Sequence, residues 1–537
     1  AVAWFDRALA LESNNPKAHF GRGSALRELG RPKEAVAAIM RAIALKPDYS
    51  EACNLHGEIL LKRGMIAEAM QSFEMALQAD PSFSPSWFQL GNARLTRGDV
   101  LKARDCYLKA AQLGSGSGNT HYSYSNYLLS LNYLAMDPDE IFRAHCDWAR
   151  HYAHEQENVA HSNSPDLTRR LRVGYVSGDF MDHPVATFIK SVLQQHDREA
   201  FEVFGFSNVA RPDETTKLLR EHIDRWHEIL QLDDAAASDL IRSEEIDILV
   251  DIAGHTGGNR LGVFARRSAP VQITYLGYPN TTGLHAMGFR LTDPVADPPG
   301  FTDAWYTEQL VRLPQTFLCY APPPKPPAVA SAPCENNGFV TFGSVSNLAK
   351  ISPETLDDWA AVLKQVAGSR MILKRRGFHD EATRQDMLRK FTDRGIRPER
   401  ITLLTAGQSQ EDHLGHYARL DAVLDTFPYN GTTTSCESLL MGVPIVTHYG
   451  QTHVSRVGLS LLASVGLEEL AGGSHEEFVA RAVSLAQAPD RMRAMRAALR
   501  DRFLSSPVCD ARGFVRGLEE AYRQLWRSWC QNQGSGK

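Results

Sequence analysis

Over the first 116 residues, apolar and small positions recur with the three-to-four step of amphipathic helices. A longer period of about 34 residues overlies that step. Gly30, Gly64 and Gly98 share one register, as do Gly23, Gly57 and Gly91. Ala35, Ala69 and Ala103 share another, and Ala8, Ala42, Ala76 and Ala110 a further one, with Pro47 and Pro81 in step. Small residues at fixed positions let paired helices approach closely, and a glycine after each helical run permits the tight turn between partners. From about residue 171 the pattern changes to short apolar runs separated by helical or loop stretches. The runs are "LRVGYVSGDF" (171–180), "FEVFGFS" (201–207), "IDILVDIAG" (246–254) and "VQITYLGYP" (271–279). A second set follows, namely "FVTFGSV", "SRMILKRRG", "RITLLTAG", "DAVLDTFP" and "VPIVTHYG". Such alternation is βαβ grammar and implies parallel sheets.

The N-terminal period is that of tetratricopeptide repeats, assigned to residues 1–116. The opening "AVAWFDRALALESN" matches only the second helix of a repeat, so the array is expected to be N-terminally truncated. A tyrosine-rich helical connector spans 117–170, and a first Rossmann-like lobe spans 171–320. The segment "APPPKPPAVASAPCENNG" (321–338) is proline-dense and predicts a stiff linker. Residues 339–537 form a second Rossmann-like lobe with a terminal helix. The expected fold class is thus an α-helical tetratricopeptide superhelix followed by an α/β region of two lobes, with ligand sites at the carboxyl ends of the strands.

Composition narrows the function classes. A net charge of −5 gives no reason to expect nucleic acid as a partner. No apolar run is long enough to span a membrane. The eight cysteines are scattered without a C-x-x-C pair, which points to reduced cytosolic thiols and a cytoplasmic protein. A repeat array normally presents a groove to protein or peptide, and its faces can equally pair two copies as a homodimer.

The stretch "FPYNGTTTSCESLLMGVP" (427–444) carries the chemistry of the second lobe. Asn430 and Gly431 form a turn after a strand, Thr432, Thr433 and Thr434 stand where a helix begins, and all five are expected among the nucleotide-sugar contacts. Amides and hydroxyls converging there bind phosphate without a metal. The alternative is an ordinary capped helix, with Glu437 near its first turn. Lys350 ends the first strand-loop of the same lobe and is placed to stabilise a departing diphosphate. His413 follows another strand end in "GQSQEDHLGHY" and could stack on a base. In the first lobe, His183 ("SGDFMDHP") and His255 ("DIAGHTGG") sit after strand ends, with the right unperturbed pKa to take a hydroxyl proton. The only D-x-D, Asp137–Asp139, precedes a helix outside the sheets, and no metal or cofactor site is expected.

Taken together, "RVGYVSGDFMDHP", "IDILVDIAGHTGGNRLGVFARRSAPVQITYLGYPNTTG", "FGSVSNLAKISPETL" and "LDTFPYNGTTTSCESLLMGVPIVT" resemble the O-GlcNAc transferase family. Members join tetratricopeptide repeats to a GT-B region of two Rossmann-like lobes. The wording "GYPNTTG", "NGFVTF" and "ESLLMGVP" also resembles the plant SPINDLY branch, whose members transfer fucose from GDP-fucose. The resemblance implies an inverting, metal-independent transfer of GlcNAc from UDP-GlcNAc to Ser or Thr hydroxyls of proteins. It gives Lys350 and Thr432–Thr434 the diphosphate, Glu437 the ribose and His413 the uracil, with Asn347 and Gln408 lining the nucleotide pocket. His183 takes the acceptor side and is a candidate base, with Pro279 beside the acceptor and His255 a further candidate. Departures exist. Gln410 stands where animal members carry a lysine, no domain intervenes between the lobes, and Gly21, Leu55 and Gln89 replace the asparagine ladder of animal repeats. A repeat scaffold with a regulatory nucleotide cleft is the alternative from another class.

Overall fold

The computed structural model describes residues 1–114, 120–157, 159–405, 407 and 409–534. They divide into two compact units. One comprises Ala1–Leu134 with Val345–Ile351 and Leu373–Ala406; the other comprises Ala135–Ser344, Ser352–Ile372 and Gly407–Lys537.

In the first unit the periodic segment forms seven helices: α1 Val2–Leu11, α2 Pro16–Glu28, α3 Pro32–Leu45, α4 Ser50–Lys62, α5 Ile66–Ala79, α6 Ser84–Arg97 and α7 Val100–Leu113. The small-residue registers have the predicted cause. A methyl group on Gly23, Gly57 or Gly91 would lie 2.5, 2.5 or 2.7 Å from Ile39, Phe73 or Tyr107 on the partner helix. Ala35, Ala69 and Ala103 are fully buried. Gly30, Gly64 and Gly98 adopt φ of +71°, +79° and +85° at the helix ends, a conformation that costs other residues.

Two parallel sheets follow. Strands β1 Leu171–Ser177, β2 Phe201–Ser207, β3 Arg225–Glu228, β4 Ile248–Asp251, β5 Val271–Thr274, β6 Phe289–Thr292 and β7 Gln309–Arg312 form the first. Its order is β3-β2-β1-β4-β5-β6-β7. The second holds β8 Thr341–Ser344, β9 Arg370–Lys374, β10 Ile401–Leu404, β11 Ala422–Leu424, β12 Ile445–His448 and β13 Ala471–Gly472, in the order β10-β9-β8-β11-β12-β13. The central strands are buried on both faces, as parallel sheets covered by helices require. The nine predicted strands are all present. Strands β3, β6, β7 and β13 were not predicted; three lie at sheet edges and β6 adjoins one, and their composition ("RWHE", "FRLT", "QLVR", "AG") is too polar or too short for a pattern.

The terminal helix Ala511–Gly534 departs from the predicted lobe assignment. It packs on the first lobe: the Tyr522 hydroxyl lies 3.2 Å from that of Tyr175 in β1, Glu519 accepts from His196 and from the Asp197 amide at 2.9 Å, and Trp526 donates to the Asp166 carbonyl. An amphipathic pattern fixes which face of a helix is buried, not which lobe buries it. The proline-dense linker is held through its carbonyls, Ala330 by Arg496 and Pro327 by Arg500.

The two lobes also meet along a polar seam within the second unit. Nδ1 of His453, after β12, bonds the Asp297 carboxylate at 2.6 Å. Ser460 donates to Asp293 at 2.6 Å, and Arg456 donates to the Val295 carbonyl at 2.9 Å. Burial alone would push the Asp297 carboxyl up, but the His453 ring, with Arg290 and Thr292 beside it, holds it well below the usual carboxylate range. A depressed folded pKa stabilises the fold above the unfolded value of about 4, and that contribution is lost as pH falls further. Asp297→Asn should therefore flatten the dependence of unfolding free energy on pH below about pH 4. It should also lower stability near neutrality by about 1 kcal/mol, because the bond from His453 then ends on a neutral amide oxygen instead of a carboxylate. Denaturant unfolding at a series of pH values checks both; an unchanged acid limb would remove Asp297 from this role.

Candidate functional site

The loop after β11 is built around one carboxylate. Asp425, almost fully buried, accepts through Oδ1 from the amides of Thr426 and Gly431, both at 2.8 Å. Its Oδ2 accepts from the Thr447 hydroxyl on neighbouring β12 at 2.8 Å. Asn430 is completely buried, and its side chain is committed inward: Nδ2 donates to the carbonyls of Thr426 and His448, and Oδ1 accepts from the Gly458 amide. Asn430 thus shapes the loop rather than facing a ligand, a correction to its expected place among the nucleotide contacts. At Gly431 a Cβ would sit 2.4 Å from Ser435 Oγ and 3.0 Å from Thr434 Oγ1, so only glycine lets the hydroxyls crowd this turn.

The helix that follows runs Thr433–Leu440. Thr432 is its N-cap residue, and its side chain makes no capping hydrogen bond. Thr432, Thr433 and Thr434 are half-buried rather than sealed in the core. The first-turn amides of a helix lack intrahelical acceptors and carry the positive end of its dipole, so an anion is the natural complement here.

Glu437, one turn on, accepts from Nε2 of His413 at 2.9 Å. The Tyr417 hydroxyl lies 3.0 Å from the Thr434 carbonyl and 3.1 Å from the Glu437 carboxylate. His413, Glu437 and the threonine run are therefore brought together, as expected from sequence. Gln408 lies outside the described residues.

Lys350 belongs to the other compact unit and closes a short 3-10 turn, Leu348–Lys350. Asn347 is exposed and begins this turn, its carbonyl accepting from the Lys350 amide at 2.9 Å. Leu348 and Ala349 are buried, while Lys350 is half-buried at the end of the turn.

In the first lobe, His183 is the N-cap of the helix Pro184–Gln195, with Nδ1 accepting from the Val185 amide at 3.4 Å. The Asp179 carboxylate is 3.7 Å from that nitrogen. Burial pushes the Asp179 carboxyl up while His183 pulls it down, leaving it raised. His183 keeps more than a third of its side-chain surface, 37%. Pro279 lines a shallow pocket with Asn280, Tyr306 and His453.

His255 is not at a cleft edge. It is 1% exposed, its Nε2 donates to the Thr282 carbonyl at 2.9 Å, and its ring stands edge-on to Trp148 at 4.4 Å. Burial and the neighbouring His145 hold it far below the ordinary histidine range. The chain turns inward at Gly254, whose φ is +56° and whose Cβ position lies 2.2 Å from Tyr278. His145 beside it is also neutral, pushed down to about 4 by burial. Its Nδ1 donates to the Ile141 carbonyl, and Nε2 accepts from the Tyr278 hydroxyl, both at 2.7 Å. These rings form a buried packing cluster. Asp137 of the D-x-D is simply a helix cap, accepting from the Asp139 amide. Asp425, Tyr417 and Asp297 escaped the sequence reading. The one available signal was an acidic residue ending an otherwise apolar strand in "DAVLDTFP".

Comparisons with known proteins agree with this architecture. A tetratricopeptide-repeat model matches residues 1–50 and 20–83. A solved mutant O-GlcNAc transferase of Thermobaculum terrenum superposes with a TM-score of 0.89 at 37% identity, over 96% of this chain and 98% of that one. The "Probable UDP-N-acetylglucosamine--peptide N-acetylglucosaminyltransferase SPINDLY" of Oryza sativa subsp. japonica is 41% identical over 430 residues, 79% of this chain and 46% of that protein. The UDP-N-acetylglucosamine--peptide N-acetylglucosaminyltransferase of Caenorhabditis elegans is 26% identical over 480 residues, 67% of this chain and 41% of that protein. The chain spans less than half the length of these two curated relatives. The model described as glycosyl transferase family 41 matches residues 148–320 and 335–518, and with sheets and loop as found the chain belongs to that family.

Proposed function

We propose that the protein transfers GlcNAc from UDP-GlcNAc to Ser or Thr hydroxyls of proteins. The observation that carries this reading is the helix start at Thr432–Thr434, where hydroxyls and first-turn amides converge without a side-chain cap, in a family of glycosyl transferases. The acceptor hydroxyl attacks the anomeric carbon as the bond from that carbon to the β-phosphate oxygen breaks, and UDP leaves with the electron pair. The acceptor proton passes to a base on the first-lobe side, with His183 the candidate; its Nδ1 takes the proton by giving up the long bond from the Val185 amide, with Asp179 its neighbour. One displacement inverts the anomeric centre. His255, buried and neutral, supports the loop following Pro279 through the Thr282 carbonyl instead of moving a proton. His413 faces the base, with its ring steered by Glu437.

Helix amides, hydroxyls and the Lys350 ammonium together offset the charge of the leaving diphosphate, so the reaction as proposed needs no metal. Protein or peptide acceptors reach the site through the repeat groove, and pairing of two chains through the repeats belongs to the same reading. Among the described residues no helix is long and apolar enough to cross a membrane, and the eight cysteines are free thiols. A cytoplasmic setting fits that thiol usage.

The donor is tested by titrating UDP and GDP by calorimetry and by following transfer to protein by mass spectrometry in excess EDTA. UDP binding and EDTA-resistant GlcNAc transfer are expected. Tight GDP binding without UDP binding would replace the donor by GDP-fucose, while partner capture with no turnover of any nucleotide sugar would leave only a scaffold.

Lys350→Ala should reduce turnover by about two to three orders of magnitude, the usual cost of removing one preorganised stabiliser of a developing anion. It should also weaken UDP binding; turnover near the wild-type rate would remove the lysine from the leaving-group role. Asp425→Ala deletes the acceptor of three hydrogen bonds. Loss of stability by about 2–4 kcal/mol in denaturant unfolding is expected, together with weaker UDP binding. Intact UDP affinity would show that the loop holds its shape without the carboxylate.

A further inference from the structure

Three glycines occupy the same position of the repeat and share nearly the same backbone conformation, yet their surroundings differ. At Gly30 and Gly64 a Cβ would meet nothing within 4 Å. At Gly98 it would lie 2.9 Å from the carbonyl oxygen and 3.4 Å from the Cβ of Leu348, the residue that opens the Lys350 turn. That carbonyl is itself engaged within the turn, accepting from the Ile351 amide at 3.1 Å. The Leu348 side chain is 2% exposed, and its Cδ1 would stand 2.9 Å from a Cβ on Gly377. The stretch containing Gly377 is tied to the repeats in turn. The Ala67 amide, in the first turn of α5, donates to Asp380 Oδ1 at 3.3 Å, while Asp380 Oδ2 caps the next helix through Thr383. All these residues lie within the first compact unit.

We infer that the end of α6 and the start of α5 form a seat for the Lys350 turn, with Gly98 a positioning residue for Lys350. The three glycines are equivalent for the fold of the array, since each allows a left-handed helix end. Only Gly98 also needs to lack a side chain, because a Cβ there would push on the carbonyl that shapes the lysine-bearing turn. The repeats on this reading help to set donor affinity as well as to meet acceptors. The inference rests on the proposed contact between Lys350 and the donor diphosphate.

The test compares Gly98→Asn with Gly64→Asn. Asparagine is the side chain that best tolerates this backbone region, so both variants carry a similar small conformational cost. Gly98→Asn should speed hydrogen exchange at the Lys350 and Ile351 amides and weaken UDP binding by about tenfold, or 1.4 kcal/mol. Gly64→Asn should leave both readouts at wild-type values. Ala67→Pro is the second variant: in the first helical turn it deletes the bond to Asp380, and its further cost, restriction of Ile66, falls on the start of α5 and not on the Lys350 turn. Faster exchange over residues 380–383 and a weaker UDP affinity are expected from it, whether or not Gly98→Asn folds.

Equal effects of the two asparagine variants, or unchanged exchange and affinity in both Gly98→Asn and Ala67→Pro, would overturn the seat. Lys350→Ala separates the two levels of the argument. If it leaves UDP binding intact, the proposed donor contact fails, while the exchange data still decide whether the repeats hold the turn. If it weakens binding and the seat variants do not, the inference alone fails.

Discussion

The Asp425 carboxylate is the constraint on which the candidate site depends. A short strand delivers it, buried, to the sheet's carboxyl end, where an anion without partners would be expensive. Its partners are the Thr426 and Gly431 amides and the Thr447 hydroxyl, so satisfying the charge bends the loop and joins it to the adjacent strand. Asn430 completes the turn from within, and the chain emerges with three threonines at a helix start. The first lobe repeats the device. Asp251, at the end of β4, accepts from the amides of Ala253 and Gly254 and from the Thr274 hydroxyl on β5. The strand orders place β4 and β5 in the first sheet where β11 and β12 stand in the second. One lobe uses the carboxylate to turn His255 into the core, the other to present hydroxyls.

That contrast separates groups that shape the site from groups that can meet a ligand. Asn430, His255 and His145 have their polar atoms spent internally, and burial keeps the two histidines neutral. His183 and His413 keep partial exposure; Glu437 steers His413 by a hydrogen bond, and the Val185 amide holds His183. The same economy joins the lobes, where Asp297 and His453 form a buried pair and the terminal helix returns to pack on β1.

Much of the fold was legible because it rests on local pattern. The period of the glycines and alanines, the apolar runs and the proline-dense linker all reflect steric and hydrophobic demands that each segment meets by itself. Edge strands such as "RWHE" and "AG" were not legible, since hydrogen bonds to a neighbouring strand define them more than burial does. In the site, the threonine run and His413 were found through the strand–loop–helix grammar around them, and Glu437 through the family resemblance. His255 was misplaced because a histidine after a strand looks the same in sequence whether the next turn points outward or, as at Gly254, inward.

The sequence by itself determined the repeat register, the two alternating α/β lobes and the threonine run at a helix start, since these follow from residue type and short-range spacing. Only the tertiary structure decided which polar groups remain available, which lobe takes the terminal helix, and that Gly98, unlike Gly64, must stay bare. Those outcomes depend on contacts between segments distant in the chain, and hydrogen-bond partners and excluded volume at such contacts leave no periodic trace in the sequence.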